Sequence, residues 1–205
     1  MRTISREVIN DPSETTRRLR EGNILAKVTI AYLQGILGDA SYSKFHKTHR
    51  ISQNNREWLE RIKRLLSEVR DRSWIYKEGR KRNVYVLETT SKKLSMNFDP
   101  LTLQTDVEKI AYIRGYFDAE GGVSRDGKVR FYLQFAEKNK SRLEKVKSLL
   151  EQLGVACGKI HCPSIIADPN YWRFYVRAKS YDRFINIVGS WHPRKQKIFS
   201  NRKKI

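Results

Sequence analysis

Cysteine is nearly absent: Cys157 and Cys162 are the only two in 205 residues. With His161 beside them they hint at a metal site. A structural zinc needs four ligands, however, and His46, His49 and His192 stand at no matching spacing. Zinc is set aside, and two free thiols in a strand or turn are expected. Long apolar runs are missing as well. No stretch approaches the ~18 uninterrupted apolar residues of a membrane span, and no basic amphipathic anchor stands out. The N-terminus has no apolar core of the signal-peptide type, so a soluble, intracellular protein is expected, without a membrane partner. Acids are the third shortage. Twenty-two Asp and Glu face 42 Lys and Arg, a net charge of +20. Such a charge concerns partners rather than fold. Nucleic acid leads, because each phosphate contact releases condensed counterions. Hydrophobic residues make up 39%, enough for a real core and too many for a disordered basic tail.

What is present centres on Tyr112-Ile113-Arg114-Gly115-Tyr116-Phe117-Asp118-Ala119-Glu120-Gly121-Gly122. It reads as an apolar helix ending in two carboxylates and two glycines. The last turn of a helix carries partial negative charge, so acids there call for a nearby cation, and a divalent metal is the simplest candidate. A related segment occurs earlier, Ala31-Tyr32-Leu33-Gln34-Gly35-Ile36-Leu37-Gly38-Asp39-Ala40.

The chain is an internal duplication. Residues 53–66 align without a gap with residues 137–150, 84 positions on. Both segments open with Asn near a cap position and place apolar residues at helical spacing. Leu59, Ile62, Leu65, Leu66 and Val69 form one core stripe. Leu143, Val146, Leu149, Leu150 and Leu153 form the other, closed by Gly154. In the second half Lys128–Phe135 alternates strictly, as does Tyr171–Ala178, with Val84 and Val86 against Asn83 and Tyr85 as the first-half counterpart. A shorter hairpin spans about Ser41 to Gln53, and Gly79 marks the turn of a later one. The expected fold is α+β: a tandem αββαββα repeat with two antiparallel four-stranded sheets. Each sheet turns an apolar face to helices and a basic, aromatic face outward, which suits base edges and phosphates.

The carboxylate-tipped helix, present twice and followed each time by strand-strand-helix-strand-strand, resembles the LAGLIDADG homing endonucleases, in particular the monomeric, pseudo-twofold members. The resemblance covers the chain from about Asn23. It implies a first repeat over 23–104 and a second over 105–205, with 1–22 as an accessory helix or arm. By the family pattern Glu120 is a metal-binding acid, and Gly115 and Ala119 are small positions that let two motif helices touch. For the first motif two registers exist. At an offset of 81 Asp39 matches Glu120; at an offset of 80 Tyr32 and Gly35 match Tyr112 and Gly115, and Ala40 faces Glu120's position. The Gly38-Asp39 ending favours Asp39. Gln53 and Glu137 match the family's polar positions near the metals, and Lys195 resembles its active-site lysine.

The implied activity is Mg²⁺-dependent, site-specific hydrolysis of duplex DNA across the minor groove, leaving 3′ overhangs. Two or three ions would be held by Asp39 and Glu120 with the carbonyls of Gly38 and Ala119. A monomer suffices, and a long asymmetric target of about 20 bp is expected. Candidate DNA-binding residues in the first half are Arg50, Tyr76, Arg80, Arg82 and Tyr85. In the second half they are Arg130, Tyr132, Gln134, Arg173, Tyr175 and Arg177. An RNA maturase, or a non-cleaving DNA-binding protein on the same fold, are the competing readings.

Overall fold

The computed structural model of the chain describes residues 12–79, 82–124 and 129–202. The first half runs α1 (Pro12–Ile36), β1 (Ala40–Ser43), β2 (Thr48–Gln53), α2 (Arg56–Glu68), β3 (Ser73–Lys77) and β4 (Tyr85–Thr89). The second runs α3 (Asp106–Glu120), β5 (Gly121–Val123), β6 (Leu133–Glu137), α4 (Lys140–Gln152), β7 (Trp172–Tyr175), α5 (Tyr181–Ile187) and α6 (Pro193–Arg202). No described helix is long and apolar enough to cross a membrane.

The duplication is visible in the caps. Asn55 accepts the Trp58 N–H at the start of α2, and Asn139 accepts the Arg142 N–H at the start of α4. Both helices end in the same left-handed turn, closed by Asp71 N–H to Leu66 O at 2.8 Å and Val155 N–H to Leu150 O at 2.9 Å. The left-handed residue is Gly154 in one half (φ 73°) and Arg70 in the other (φ 60°). Thr105 and Glu108 form a reciprocal capping box that starts α3.

The first sheet has the expected four strands, in the order β1-β2-β4-β3. The second has three, β5-β6-β7, which corrects the expected four. Its fourth strand is reduced to two isolated bridges, Cys157 with Val176 and His161 with Arg173. The pairing register slips by one residue between these bridges, so a bulge breaks the ladder. Strands are three to six residues long, shorter than the alternation suggested. The closing helix of the first half is only a single 3-10 turn, Pro100–Thr102, whereas α5 and α6 close the second. Residues 12–22 continue α1 without a break across Gly22, and residues 1–11 of the expected arm lie outside the described residues.

The two motif helices, α1 and α3, form the centre of the molecule. A side chain on Gly35 would collide with Tyr112 O, and one on Gly115 with Tyr32 O. The helices therefore touch backbone to backbone, through residues related by an offset of 80. The chain leaves α1 through a 3-10 turn, Leu37–Asp39, where α3 continues as α-helix through Phe117–Glu120. Three 3-10 residues rise about 6 Å, and four α residues also rise about 6 Å. Asp39 thus reaches the level of Glu120 although the helices align one residue differently. Both registers read from the sequence hold, each over its own stretch.

A left-handed non-glycine residue carries a steric penalty that glycine lacks. Arg70→Gly is expected to stabilise the protein by about 1 kcal/mol in urea unfolding. Gly115→Ala, by contrast, is expected to cost about 3 kcal/mol or more by forcing the motif helices apart.

Candidate active site and nucleic-acid interface

Asp39 and Glu120 come together at the ends of the motif helices. A methyl placed on Gly38 would lie 3.4 Å from Glu120 Cγ and 3.6 Å from Arg142 Nη1. Burial, followed by the charges of Asp39 and Glu137, pushes the Glu120 carboxyl up to about 7. Burial also raises Asp39, against the opposing pull of Gln53 and Lys195. Gln53 Nε2 donates to Asp39 Oδ2 at 2.7 Å. On the other side Glu137 stands in Gln53's place. It accepts from Tyr116 Oη at 2.6 Å and pairs with Arg142 Nε at 3.1 Å. The centre is pseudo-symmetric in position and asymmetric in chemistry.

Asp118, one of the two helix-end acids of the motif, is met by hydrogen-bond donors. It is buried, and it accepts from Tyr32 Oη at 2.8 Å, Trp191 N at 2.9 Å and the Ser190 hydroxyl. Tyr32 in turn accepts from Trp58 Nε1 at 3.2 Å. Lys195, only 2% exposed, answers the helix end's demand for a cation. Its ammonium donates to the carbonyls of Phe117 and Asp118 and lies 4.5 Å from the Phe117 ring centre. Burial pulls it down to about 8, with Asp118, Glu120 and Asp39 opposing that fall. Beside these groups an open cleft of about 580 Å³ is lined by residues that include Gln53, Ala119, His192, Arg194 and Lys195.

Sequence reasoning overlooked Arg142, His192 and Arg194. Arg142 carried a usable signal: a cation in the first turn of a helix opposes the helix dipole and needs an acid partner, here Glu137.

The donor set suits a hard cation. Two carboxylates, with carbonyls of Gly38 and Ala119 adjoining them in the chain, are oxygen ligands of the kind Mg²⁺ takes. Among the described residues no cluster of three or more His, Cys, Asp or Glu is gathered for an ion.

The outward sheet faces carry most of the candidate readers. In the first sheet Arg50, Glu88 and Trp74 form one cross-strand row, and Ser52, Val86 and Tyr76 the next. Trp74, 41% exposed, joins the expected set. Tyr85 does not: it pairs with Gln53 and Lys77 on the helix side, packed against the core and 5.6 Å from the Arg56 guanidinium. β4 is covered on both faces, with Val86 and Leu87 each fully buried, so alternation could not show which face looked outward. Arg82 is exposed beyond the β3–β4 turn, and Arg80 lies outside the described residues. In the second sheet Gln134 pairs with Tyr175, and Arg173 with Ala136, on the outward face. Tyr132 meets Tyr175 edge-on with ring centres 6.1 Å apart. Arg173 lies 5.5 Å from the Tyr175 ring and donates to His161 Nε2 at 3.3 Å. Arg130 and Arg177 are exposed, and Arg177 Nε donates to Cys157 O.

Two helix ends meet between two antiparallel sheets, an arrangement that can be set beside known proteins. Residues 108–189 match the family model of the LAGLIDADG-like domain. The chain is 26% identical over 194 residues to the homing endonuclease I-ApeI of Aeropyrum pernix, covering 81% of this chain and 83% of that protein. Its fold resembles I-DmoI in complex with target DNA and magnesium, with a TM-score of 0.61, 22% identity, and 81% and 98% of the two chains covered. It also resembles the N-terminal LAGLIDADG domain of DUF199/WhiA, with a TM-score of 0.61, 14% identity, and 80% and 82% covered. The family resemblance read from the two motifs is borne out, and so is the α+β fold with two antiparallel sheets.

Glu120 yields a prediction about stability. Its carboxyl titrates near 7 in the fold against an ordinary 4.5, so the native state binds the extra proton between those values. Stability therefore falls as pH rises through that window, and the deficit is complete above about 7. Glu120→Gln cannot ionise. In EDTA at pH 8 it is expected to be more stable than the parent by about 1–2 kcal/mol, after allowance for solvent screening, and no more stable at pH 4.5. Urea unfolding at the two pH values measures both.

Proposed function

We propose that the chain is a site-specific double-strand DNA endonuclease that uses a divalent cation, Mg²⁺ in the first instance. One observation carries this reading. Asp39 and Glu120 come from two different helix ends and are brought to one point, at an electrostatic cost, between two sheets with basic and aromatic outward faces. A fold that needed only to bind DNA has no use for acids where phosphates must approach. The likeness to I-ApeI and to DNA-bound I-DmoI supports it.

Asp39 and Glu120 would hold the cation, together with carbonyls of Gly38 and Ala119. When bound, such an ion polarises phosphoryl oxygens and lowers the pKa of a water, which is the nucleophile. The remaining residues position and shield. Gln53 fixes the Asp39 carboxylate through its 2.7 Å hydrogen bond. Arg142 offsets Glu137 and stands beside Glu120. Lys195 holds the end of α3, and so the backbone that carries Glu120, while its charge eases the crowding of carboxylates. Arg194, exposed on the cleft, would contact phosphate. Each acid would serve one strand, with cuts staggered across the minor groove to leave 3′ overhangs. One chain supplies both halves of the site, so a monomer acts on an asymmetric target on the order of 20 bp. The two repeats, 23–104 and 105–205, would each address one half of it.

A supercoiled plasmid carrying the uninterrupted insertion site of the gene tests the proposal. Linear product that requires Mg²⁺, and is lost by at least about 100-fold in both Asp39→Asn and Glu120→Gln, is the expected result. Nicked circle alone, with Asp39→Asn still active, would mean that only the Glu120 side cuts. Intact plasmid despite specific binding would overturn the endonuclease reading in favour of a non-cleaving binder.

A further inference from the structure

The outward face of the first sheet contains a cluster that a general DNA-binding surface does not require. Arg50 Nη2 donates to Tyr76 Oη at 3.0 Å, and Tyr76 Oη donates to Glu88 Oε1 at 2.6 Å. Arg50 Nε lies 2.9 Å from the same Glu88 oxygen, and Nη2 lies 3.6 Å from Glu78 Oε1. The Arg50 side chain is 34% exposed and that of Glu88 is 11% exposed. Glu88 lies beneath, and Arg50 and Tyr76 face out.

A phosphate-clamping arginine gains nothing from two carboxylates, which neutralise it and repel the phosphate. The cluster is therefore badly made for the backbone of DNA and well made for a neutral base edge. Hydrogen-bond direction narrows the base. The Tyr76 hydroxyl hydrogen is committed to Glu88, so it has none to give outward. One guanidinium N–H goes to Tyr76, and the buried Nε lies against the Glu88 carboxylate as an ion pair without a hydrogen bond, leaving three of the five hydrogens and only donors. The matching edge must offer two adjacent acceptors. In the major groove guanine alone does so, with O6 and N7.

We infer that Arg50 reads one guanine in the first half of the target, and that Glu88, with Tyr76, is the positioning residue that sets the angle of its guanidinium fork. This rests on the reading of the sheet faces as a duplex-DNA surface. It adds an acid as a determinant of specificity in a strongly basic protein.

The full chain would be used to select bound sequences from a randomised duplex library in EDTA, so that no cutting intervenes. The parent is expected to enrich a long motif with one near-invariant guanine column in its first half. Glu88→Gln keeps the size of the side chain, and Tyr76→Phe removes only the hydroxyl. Each is expected to weaken preference in that one column by about tenfold and to leave the other columns unchanged. Glu88→Gln is also expected to bind non-specific duplex more tightly, because a negative charge is gone. Arg50→Lys loses the fork and should lose the same column. A motif whose columns are all unchanged in Glu88→Gln and Tyr76→Phe would overturn the inference. So would a uniform weakening in Arg50→Lys with the salt slope lowered by about one, the mark of a phosphate contact. Failure of the parent to enrich any motif would instead overturn the DNA reading beneath it, and the inference with it.

Discussion

The backbone contact between Gly35 and Gly115 is the constraint on which the rest depends. Each glycine faces a carbonyl of the other helix, Tyr112 O and Tyr32 O, so the two contacts are related by the pseudo-twofold axis. No side chain intervenes at these two positions, and the helices approach closely there. The acid-bearing ends meet because of that approach. The raised Glu120 carboxyl is the electrostatic trace of the same closeness, since burial and Asp39 are its two leading causes. Packing energy along the helices stabilises a crowding of charge at their tips.

The duplication keeps its symmetry where backbones touch and gives it up where chemistry begins. Asp118 is locked into the core by Tyr32, Ser190 and Trp191, while its partner position along the helix is Gly38. Arg114 reaches across to the carbonyls of Ile187 and Val188, and the matching Gln34 makes a paired hydrogen bond with the backbone of Ser95. Both tie the end of a repeat to its own motif helix, with different atoms. Glu120 thus sits on a helix end braced by a buried network. Asp39 sits on a 3-10 turn, where Gln53 donates a side-chain hydrogen bond to its carboxylate. The two acids are equivalent in place but not in their supporting hydrogen bonds or titration.

Much of this could be read from the chain because it is written locally. The cap asparagines, the apolar stripes of α2 and α4 and the offset between the halves are patterns over a few residues, and each appears where expected. What escaped depends on distance or on both faces of an element. The partners of Asp118 lie 72 to 86 residues away, so the sequence could not show that hydrogen-bond donors rather than a metal meet this acid. The cation that the helix end demanded came from Lys195, 77 and 78 residues on. A 3-10 turn leaves no mark in apolar spacing, so the sequence could not show that each register of the first motif applies over its own stretch. Tyr85 was placed outward by its alternation with Val84 and Val86, but Val86 and Leu87 are both buried, so that alternation does not mark the outer face of β4.

Net charge says less about recognition here than its size suggests. A charge of +20 holds a polyanion from many directions and cannot say which sequence is held. Selectivity has to come from places where the surface is less attractive to phosphate, so that only a fitting base edge repays desolvation. The centre between the helices, with Asp39, Glu120 and Glu137, repels phosphate until a cation arrives. The Arg50–Glu88–Tyr76 cluster is nearly neutral and has its donors fixed in direction. Both lie within a strongly attractive field and oppose it locally. On the proposed function, the basic residues would bring duplex to the surface, and the few acids would decide where it settles and what is done to it.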